Sequence, residues 1–257
     1  MSLTDRTVLI TGASAGIGAA TARLFAGAGA RLLLAARRVD RLRELAAELR
    51  AAHGTDTHLL ELDVRDAGVV SRVLEDLPPE WGAIDVLVNN AGLSRGLDKV
   101  HEAELRDWEE MIDTNVKGVL YVTRAVLPGM VQRGRGHVIN LGSISAYEVY
   151  AGGSVYCATK SALATITTGL RLDLFGTPIR VSLISPGAAE TEFSAVRFRG
   201  DEERAATVYA GYQPLTAEDI ADNIFYVATR PPHVNVDEII VKCVAQARST
   251  MVHKGGL

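Results

Sequence analysis

Cysteine is scarce in this chain. There are two, Cys157 and Cys243, in no C-x-x-C arrangement, which excludes a disulfide framework and a dithiol redox pair. Both are expected to be reduced packing residues. The six histidines are scattered without zinc-site spacing, so chemistry without a metal is expected. Neither sign of charge dominates, and the formal net charge of −4 gives no general attraction to nucleic acid or to a membrane surface. Long hydrophobic runs are also lacking, so nothing spans a bilayer. The amino end has no charged segment followed by a long apolar one, because Thr11-Gly12 arrive almost at once. These absences point to a cytoplasmic protein that acts on a small molecule, with neither nucleic acid nor membrane as partner.

What is present is apolar and regularly spaced. Hydrophobic residues make up 47% of 257 residues, ample for a core, and the length suits one domain over 1–257. Strands are expected at 7–10, 31–35, 58–62, 84–88, 137–141, 179–184 and 238–242. Helices are expected at 19–28, 42–52, 69–77, 155–175 and 217–229, with a long helical stretch over 105–130. No linker or low-complexity tract interrupts this alternation, which predicts an α/β fold, a parallel sheet with helices on both faces.

The first strand runs into Thr11-Gly12-Ala13-Ser14-Ala15-Gly16-Ile17-Gly18 and then a helix-forming stretch. Strand, glycine-rich turn and helix together form a dinucleotide-binding unit. Gly12 permits the turn, Gly16 lets backbone approach a pyrophosphate, and Gly18 lets helix and strand pack closely. The helix start offers N–H groups and a positive dipole end to phosphate. The fold class is therefore a Rossmann-like, doubly wound parallel sheet. An NAD-binding unit places an acid about 20 residues further on, at the ribose 2′-OH. Here Ala36-Arg37-Arg38 stands instead. Arginine binds a 2′-phosphate where an acid would repel it. The cofactor is read as NADP(H), with Arg37, Arg38 and Ser14 as phosphate ligands.

Tyr156 and Lys160 are four residues apart, on one helical face. An ammonium group beside a phenol favours the phenolate and lowers its pKa from about 10. Ser143 could aim a hydroxyl at the same substrate oxygen. Such a set moves a proton onto a carbonyl oxygen or off an alcohol.

Taken together, these residues resemble the short-chain dehydrogenase/reductase family over nearly the whole chain. Thr11–Gly18 matches its glycine motif, Asn89-Asn90-Ala91-Gly92 its N-N-A-G element, and Asn115, Ser143, Tyr156 and Lys160 its catalytic positions. The resemblance implies further cofactor contacts: Ile17 in the glycine motif, Asp63 and Val64 at adenine, Asn89, Ala91 and Gly92, and Pro186, Gly187 and Thr191 at the nicotinamide carboxamide. It implies that Tyr156 and Lys160 also hold the cofactor, that Asn115 anchors a water linking Lys160 to solvent, and that the protein is a homodimer or homotetramer built on the helices around Leu120 and Leu170.

A narrower likeness rests on Leu127–Val131, Tyr150–Gly153, Thr191–Ser194 and Val196–Phe198. These segments resemble NADP-dependent 3-hydroxy acid dehydrogenases. The expected reaction is hydride transfer between the nicotinamide and a 3-hydroxy acid or its semialdehyde. The polar stretch 192–212 is expected to be a substrate lid, with Arg197 and Arg199 as candidates for the substrate's anionic end. Glu148 departs from the subgroup pattern and is expected to line the pocket. It favours the alternative, a reductase of neutral ketones or of a biosynthetic carbonyl intermediate, unless an arginine pairs with it. A non-catalytic NADP-binding regulator is a third reading, and the intact Asn115, Ser143, Tyr156, Lys160 set argues against it.

Overall fold

A computed structural model describes residues 3–255. Seven parallel strands form one sheet: β1 (Thr7–Thr11), β2 (Arg31–Ala36), β3 (Thr57–Glu61), β4 (Ile84–Asn89), β5 (Gly136–Leu141), β6 (Ile179–Pro186) and β7 (Glu238–Val241). Their spatial order is β3-β2-β1-β4-β5-β6-β7. The order reverses between β1 and β4, and that crevice, at the carboxyl ends of the strands, is where doubly wound sheets bind ligands.

The inner strands are largely apolar because both faces are covered. Every residue of β1, β4 and β6 is buried. On one face Val8, Ile10, Leu32 and Leu34 pack against α1 (Gly16–Gly27), α2 (Val39–His53) and α9 (Ala217–Ala228). On the other, Leu9, Leu33 and Leu87 meet α3 (Ala67–Glu75) and α5 (Val119–Arg133). Each such fully buried leucine contributes about 1.5–3 kcal/mol.

Helix ends follow local chemistry. Thr216 and Asp219 form a capping box at α9, Asp66 accepts from Val69 N at α3, and Gly54 ends α2 in the left-handed region. The start of α1 differs: it has no side-chain cap and no acid in its first turn, which leaves its N–H groups open to a ligand.

The structure departs from the sequence-based expectation in three places. The helical stretch over 105–130 is divided: α4 (Leu105–Ile112) passes into a π-helical turn at Asp113–Gly118 before α5. The lid region contains two short helices, α7 (Phe193–Arg197) and α8 (Glu202–Thr207). After β7 the chain forms a small hairpin, β8 (Gln246–Arg248) with β9 (Met251–Val252). Helix α6 (Ser154–Asp173), expected over 155–175, lies over β6.

Candidate active site

A cavity of about 700 Å³ opens along the carboxyl ends of the strands. At one end lie Gly12, Ser14, Gly16, Ile17, Arg37, Arg38, Asp63 and Val64. At the other lie Ser143, Tyr150, Tyr156, Lys160 and Arg197, with Pro186, Gly187 and Thr191 also in its wall.

The glycine turn is built for close approach. Gly12 and Gly16 both have positive φ, +67° and +52°, where an L side chain is strained. A Cβ on Gly12 would stand 2.9 Å from Asn90 Nδ2, and one on Gly18 would strike Gly12 O. Gly18 is thus a packing residue beneath the turn, whereas Ser14 to Ile17 face the cavity. An uncapped helix start, two glycines in the left-handed region and a cavity beside them fit a dinucleotide's pyrophosphate.

Asn89 is a correction. Side chains alternate along β4, so Asn89 points away from the cavity, as Leu87 does. Its amide donates to Thr123 Oγ1 and Asn140 Oδ1, both at 2.9 Å, inside the core. Asn90 lines the cavity instead, and its Nδ2 donates to Thr11 O (2.9 Å) and Gly12 O (3.2 Å), fixing the glycine turn. Ala91 and Gly92 follow it in the wall.

Beyond β2, Arg38 donates to Ser14 Oγ at 3.3 Å and to Glu192 at 2.9 Å, and Arg41 also pairs with Glu192. Asp40 pairs with Arg43. Asp63 is held by Arg65, whose guanidinium keeps that carboxyl below its usual range.

The proton-transfer groups converge from three segments. Ser143 stands just past β5, its hydroxyl accepting from Ser145 N at 3.1 Å. Tyr156 and Lys160 are buried on the first turns of α6. Lys160 Nζ donates to Leu141 O at 2.8 Å and lies 5.9 Å from the Tyr156 ring centre. Burial lowers Lys160 to about 8. Burial raises Tyr156 well above 10, and neighbouring Tyr150 adds to this, while Arg197 and the Ser143 hydroxyl pull it down. The expected lowering of the phenol by Lys160 is therefore overridden here by desolvation of both groups. The cation that does favour the phenolate is Arg197, whose Cζ stands 5.5 Å over the Tyr156 ring.

Asn115 sits in the π-helical turn. Its Oδ1 accepts from Leu93 N (2.9 Å), and its Nδ2 donates to Leu93 O (2.8 Å) and Thr159 Oγ1 (3.1 Å). The side chain binds like a strand edge to the segment after β4, and the local π turn is what lets it reach there. A Cβ on Gly92 would lie 3.3 Å from Asn115 Oδ1 and 3.7 Å from Lys160 Nζ, so these three residues are packed together.

Two substrate candidates do not reach the cavity. Glu148 accepts from Lys242 Nζ and from Ser249 N, each at 2.6 Å, and so anchors the carboxyl-terminal hairpin. It pairs with neither lid arginine and is absent from the cavity wall. Arg199, at φ +53°, turns outward to pair with Asp107 near the start of α4. Arg197 alone of the three faces the cavity. It donates to Tyr150 Oη at 3.1 Å, stacks 5.1 Å from the Phe193 ring centre, and keeps its Nε buried without a hydrogen-bond partner.

Among the wall residues that sequence reasoning missed, four come from the hairpin: Gln246, Ser249, Thr250 and Val252. Gln246 Oε1 accepts from Ala188 N at 2.8 Å and so fixes the loop after Pro186-Gly187. No periodic pattern marks these residues. Phe193, 5.6 Å from the Tyr156 ring, lay within the Thr191–Ser194 likeness with no role assigned to it.

A doubly wound sheet with a glycine turn at its switch point and a serine, tyrosine and lysine facing one cavity defines a nucleotide-dependent oxidoreductase. Residues 6–202 match the model of the short chain dehydrogenase family, and the chain belongs to that family. It is 48% identical over 241 residues (93% of this chain, 96% of the relative) to an NADP-dependent 3-hydroxy acid dehydrogenase of Salmonella typhi. It is 47% identical to one of Schizosaccharomyces pombe, over 93% of each chain. A closed form of serine dehydrogenase complexed with NADP+ superposes with a TM-score of 0.90 at 45% identity, over 96% of this chain and 99% of that one.

Proposed function

We propose that this protein is an NADP(H)-dependent oxidoreductase of small 3-hydroxy acids and their semialdehydes. One observation carries the substrate class: among the described residues the reacting end of the cavity holds two cations, Lys160 and Arg197, and no carboxylate. The carboxylates in the wall, Asp63 and Glu192, belong to the Arg37–Arg38 end, and each is tied to arginine. The buried, unpartnered Nε of Arg197 stands beside the Tyr156 ring, where it can pair with an anionic group next to the reacting carbon. The substrates in the relatives' names support the same class. The alternative of neutral ketones leaned on Glu148, and that carboxylate is engaged elsewhere.

Ser14, Gly16, Ile17, Arg37 and Arg38 would hold the phosphates, Asp63 and Val64 the adenine end, and Ala91, Gly92, Lys160, Pro186, Gly187 and Thr191 the nicotinamide end. When bound, the nicotinamide supplies or accepts the hydride. Ser143 donates to the substrate oxygen and holds it against Tyr156. Tyr156 gives its proton to that oxygen in reduction and takes it back in oxidation. Arg197, over the ring, stabilises the phenolate that remains, with Lys160 held beside it at Leu141 O. Asn115 keeps the π turn in place next to Lys160, and the family resemblance gives it the role of anchoring a water that returns the proton.

The lid over 192–212 closes the chain's one domain above the substrate. Buried free thiols suit a cytoplasmic location. The exposed Leu105, Ile112 and Leu120 on the helices after β4, with Leu172 and Phe175 at the end of α6, suit a homodimer or homotetramer, which analytical ultracentrifugation checks.

The test of substrate class follows NADPH absorbance against semialdehydes, 3-hydroxy acids and neutral ketones. Arg197→Ala is expected to raise KM for acidic substrates about ten- to a hundredfold, the size of one charge-assisted contact, and to leave KM for neutral ketones unchanged. A wild-type enzyme that reduces neutral ketones readily and ignores every acid refutes the reading.

A further inference from the structure

Glu192 lies at the Arg37–Arg38 end of the cavity, where the lid begins, and has no catalytic or cofactor role in the reading above. It directly precedes α7, and its carboxylate is shared by Arg38 and Arg41. Arg38 reaches Ser14 as well. The glycine turn, the start of α2 and the lid thus meet at one carboxylate. Arg41 belongs to no cofactor motif, and this pair is its only ion pair among the described residues.

Two considerations separate this cluster from an ordinary surface ion pair. The first is charge. Arg37, Arg38 and Arg41 bring three positive charges against one from Glu192. The remainder matches a phosphate monoester of about −1.5 to −2 at neutral pH. The second is donor capacity. A guanidinium has five N–H groups. Arg38 spends one on Glu192 and one on Ser14, and Arg41 spends one on Glu192. Enough donors remain for a phosphate with Glu192 still in place.

The other end of α7 explains why the tether matters. Five residues are too few to hold a helix by their own bonds, so anchors set its position. Arg95 and Gly96 N bind its last carbonyls, Val196 O and Arg197 O. At its start Glu192 supplies the anchor. Between the anchors, Phe193 and Arg197 cover Tyr156.

We infer that Glu192 is a positioning residue that fastens the lid helix to the arginines receiving the cofactor's 2′-phosphate, so that the phosphate end and the reacting end close together. This rests on the assignment of Arg38 to the phosphate.

The experiment compares wild type, Glu192→Gln, Arg41→Ala, the double variant and Arg38→Ala. It measures hydrogen–deuterium exchange of 193–212 with NADPH or NADH present, together with kcat and KM. In wild type, NADPH should protect the lid more than NADH does. Glu192→Gln should abolish that difference and raise substrate KM about three- to fivefold, with kcat within about twofold. In the lid readout the double variant should be no worse than Glu192→Gln alone, because Arg41 reaches the lid through that carboxylate. Tighter NADPH binding by Glu192→Gln would show the carboxylate competing with the phosphate and overturns the proposal, as do additive effects or an unchanged lid. The exchange readout needs no substrate, so it stands even if the acid-substrate reading fails. If Arg38→Ala weakens both cofactors equally, the phosphate assignment falls and this proposal falls with it.

Discussion

Lys160 costs the fold stability for the sake of chemistry, and the cost is measurable. Its ammonium is buried, and Leu141 O is its hydrogen-bond acceptor in the protein. Burial brings its pKa from 10.5 to about 8. That difference corresponds to about 3 kcal/mol against the folded state wherever the group is charged in both states. Lys160→Met keeps the length, removes the charge and leaves the Leu141 carbonyl unpaired, at about 1 kcal/mol. The variant should therefore be about 2 kcal/mol more stable than wild type at pH 7, or about 4–8 °C in Tm for a chain of this size, while losing activity. The sign with pH follows from proton binding. Between pH 8 and 10.5 the unfolded chain holds a proton that the native lysine has shed, so wild-type stability rises through that window. By pH 9.5 about 2 kcal/mol of the penalty is gone, and the two proteins should unfold together. Urea titrations of the cofactor-free proteins at both pH values provide the assay. A variant less stable than wild type at pH 7, by a margin that does not change with pH, would refute the reasoning.

Tyr156→Phe keeps the ring and removes the proton, and kcat should fall about 10²–10⁴-fold while NADPH affinity, read by fluorescence titration, changes little. Arg37→Ala with Arg38→Ala should weaken NADPH far more than NADH in the same titration, because only NADPH carries the 2′-phosphate. Glu148→Gln should leave KM for neutral and acidic substrates in the same ratio but loosen the carboxyl-terminal hairpin, seen as faster exchange at Ser249 N. That amide donates to the carboxylate.

Much of the fold was legible because its signals are local. Two-sided burial makes β1, β2 and β4 mostly apolar runs, and glycine, proline and capping residues punctuate them. The π turn was not legible. Residues 105–130 have helical propensity throughout, and the distortion comes from Asn115 bonding to Leu93 twenty-two positions earlier, a tertiary contact that leaves no periodic trace. Gly118 was the one local sign: a Cβ there would stand 2.7 Å from the Val64 side chain, so the segment must pass close to the loop after β3. The error at Asn89 has a different origin. Adjacent asparagines at a strand end look equivalent in sequence, and only the pleat decides that one faces the core and the other the cavity.

Charged side chains were the hardest to place, since a sequence shows that an arginine is near a site without showing where its guanidinium goes. Arg197 and Arg199 are two residues apart at the end of a five-residue helix. Arg197, the last helical residue, turns over Tyr156, whereas Arg199 takes a left-handed conformation and goes to Asp107. Glu148 was placed in the pocket because its neighbours line it, yet Lys242 and Ser249 N, about a hundred residues away, outcompete the cavity for its carboxylate. In each case the deciding partner is distant in sequence and carries the opposite charge or a free N–H. The same rule put Glu192, an unremarked acid beside Thr191, onto Arg38 and Arg41. Buried or half-buried charges go where they are paired. Among the described residues the pairs satisfy every wall carboxylate and leave Lys160 and Arg197 without carboxylate partners beside Tyr156. That residual positive charge at the reacting end is a property of the folded arrangement, and it is the strongest physical reason for an acidic substrate.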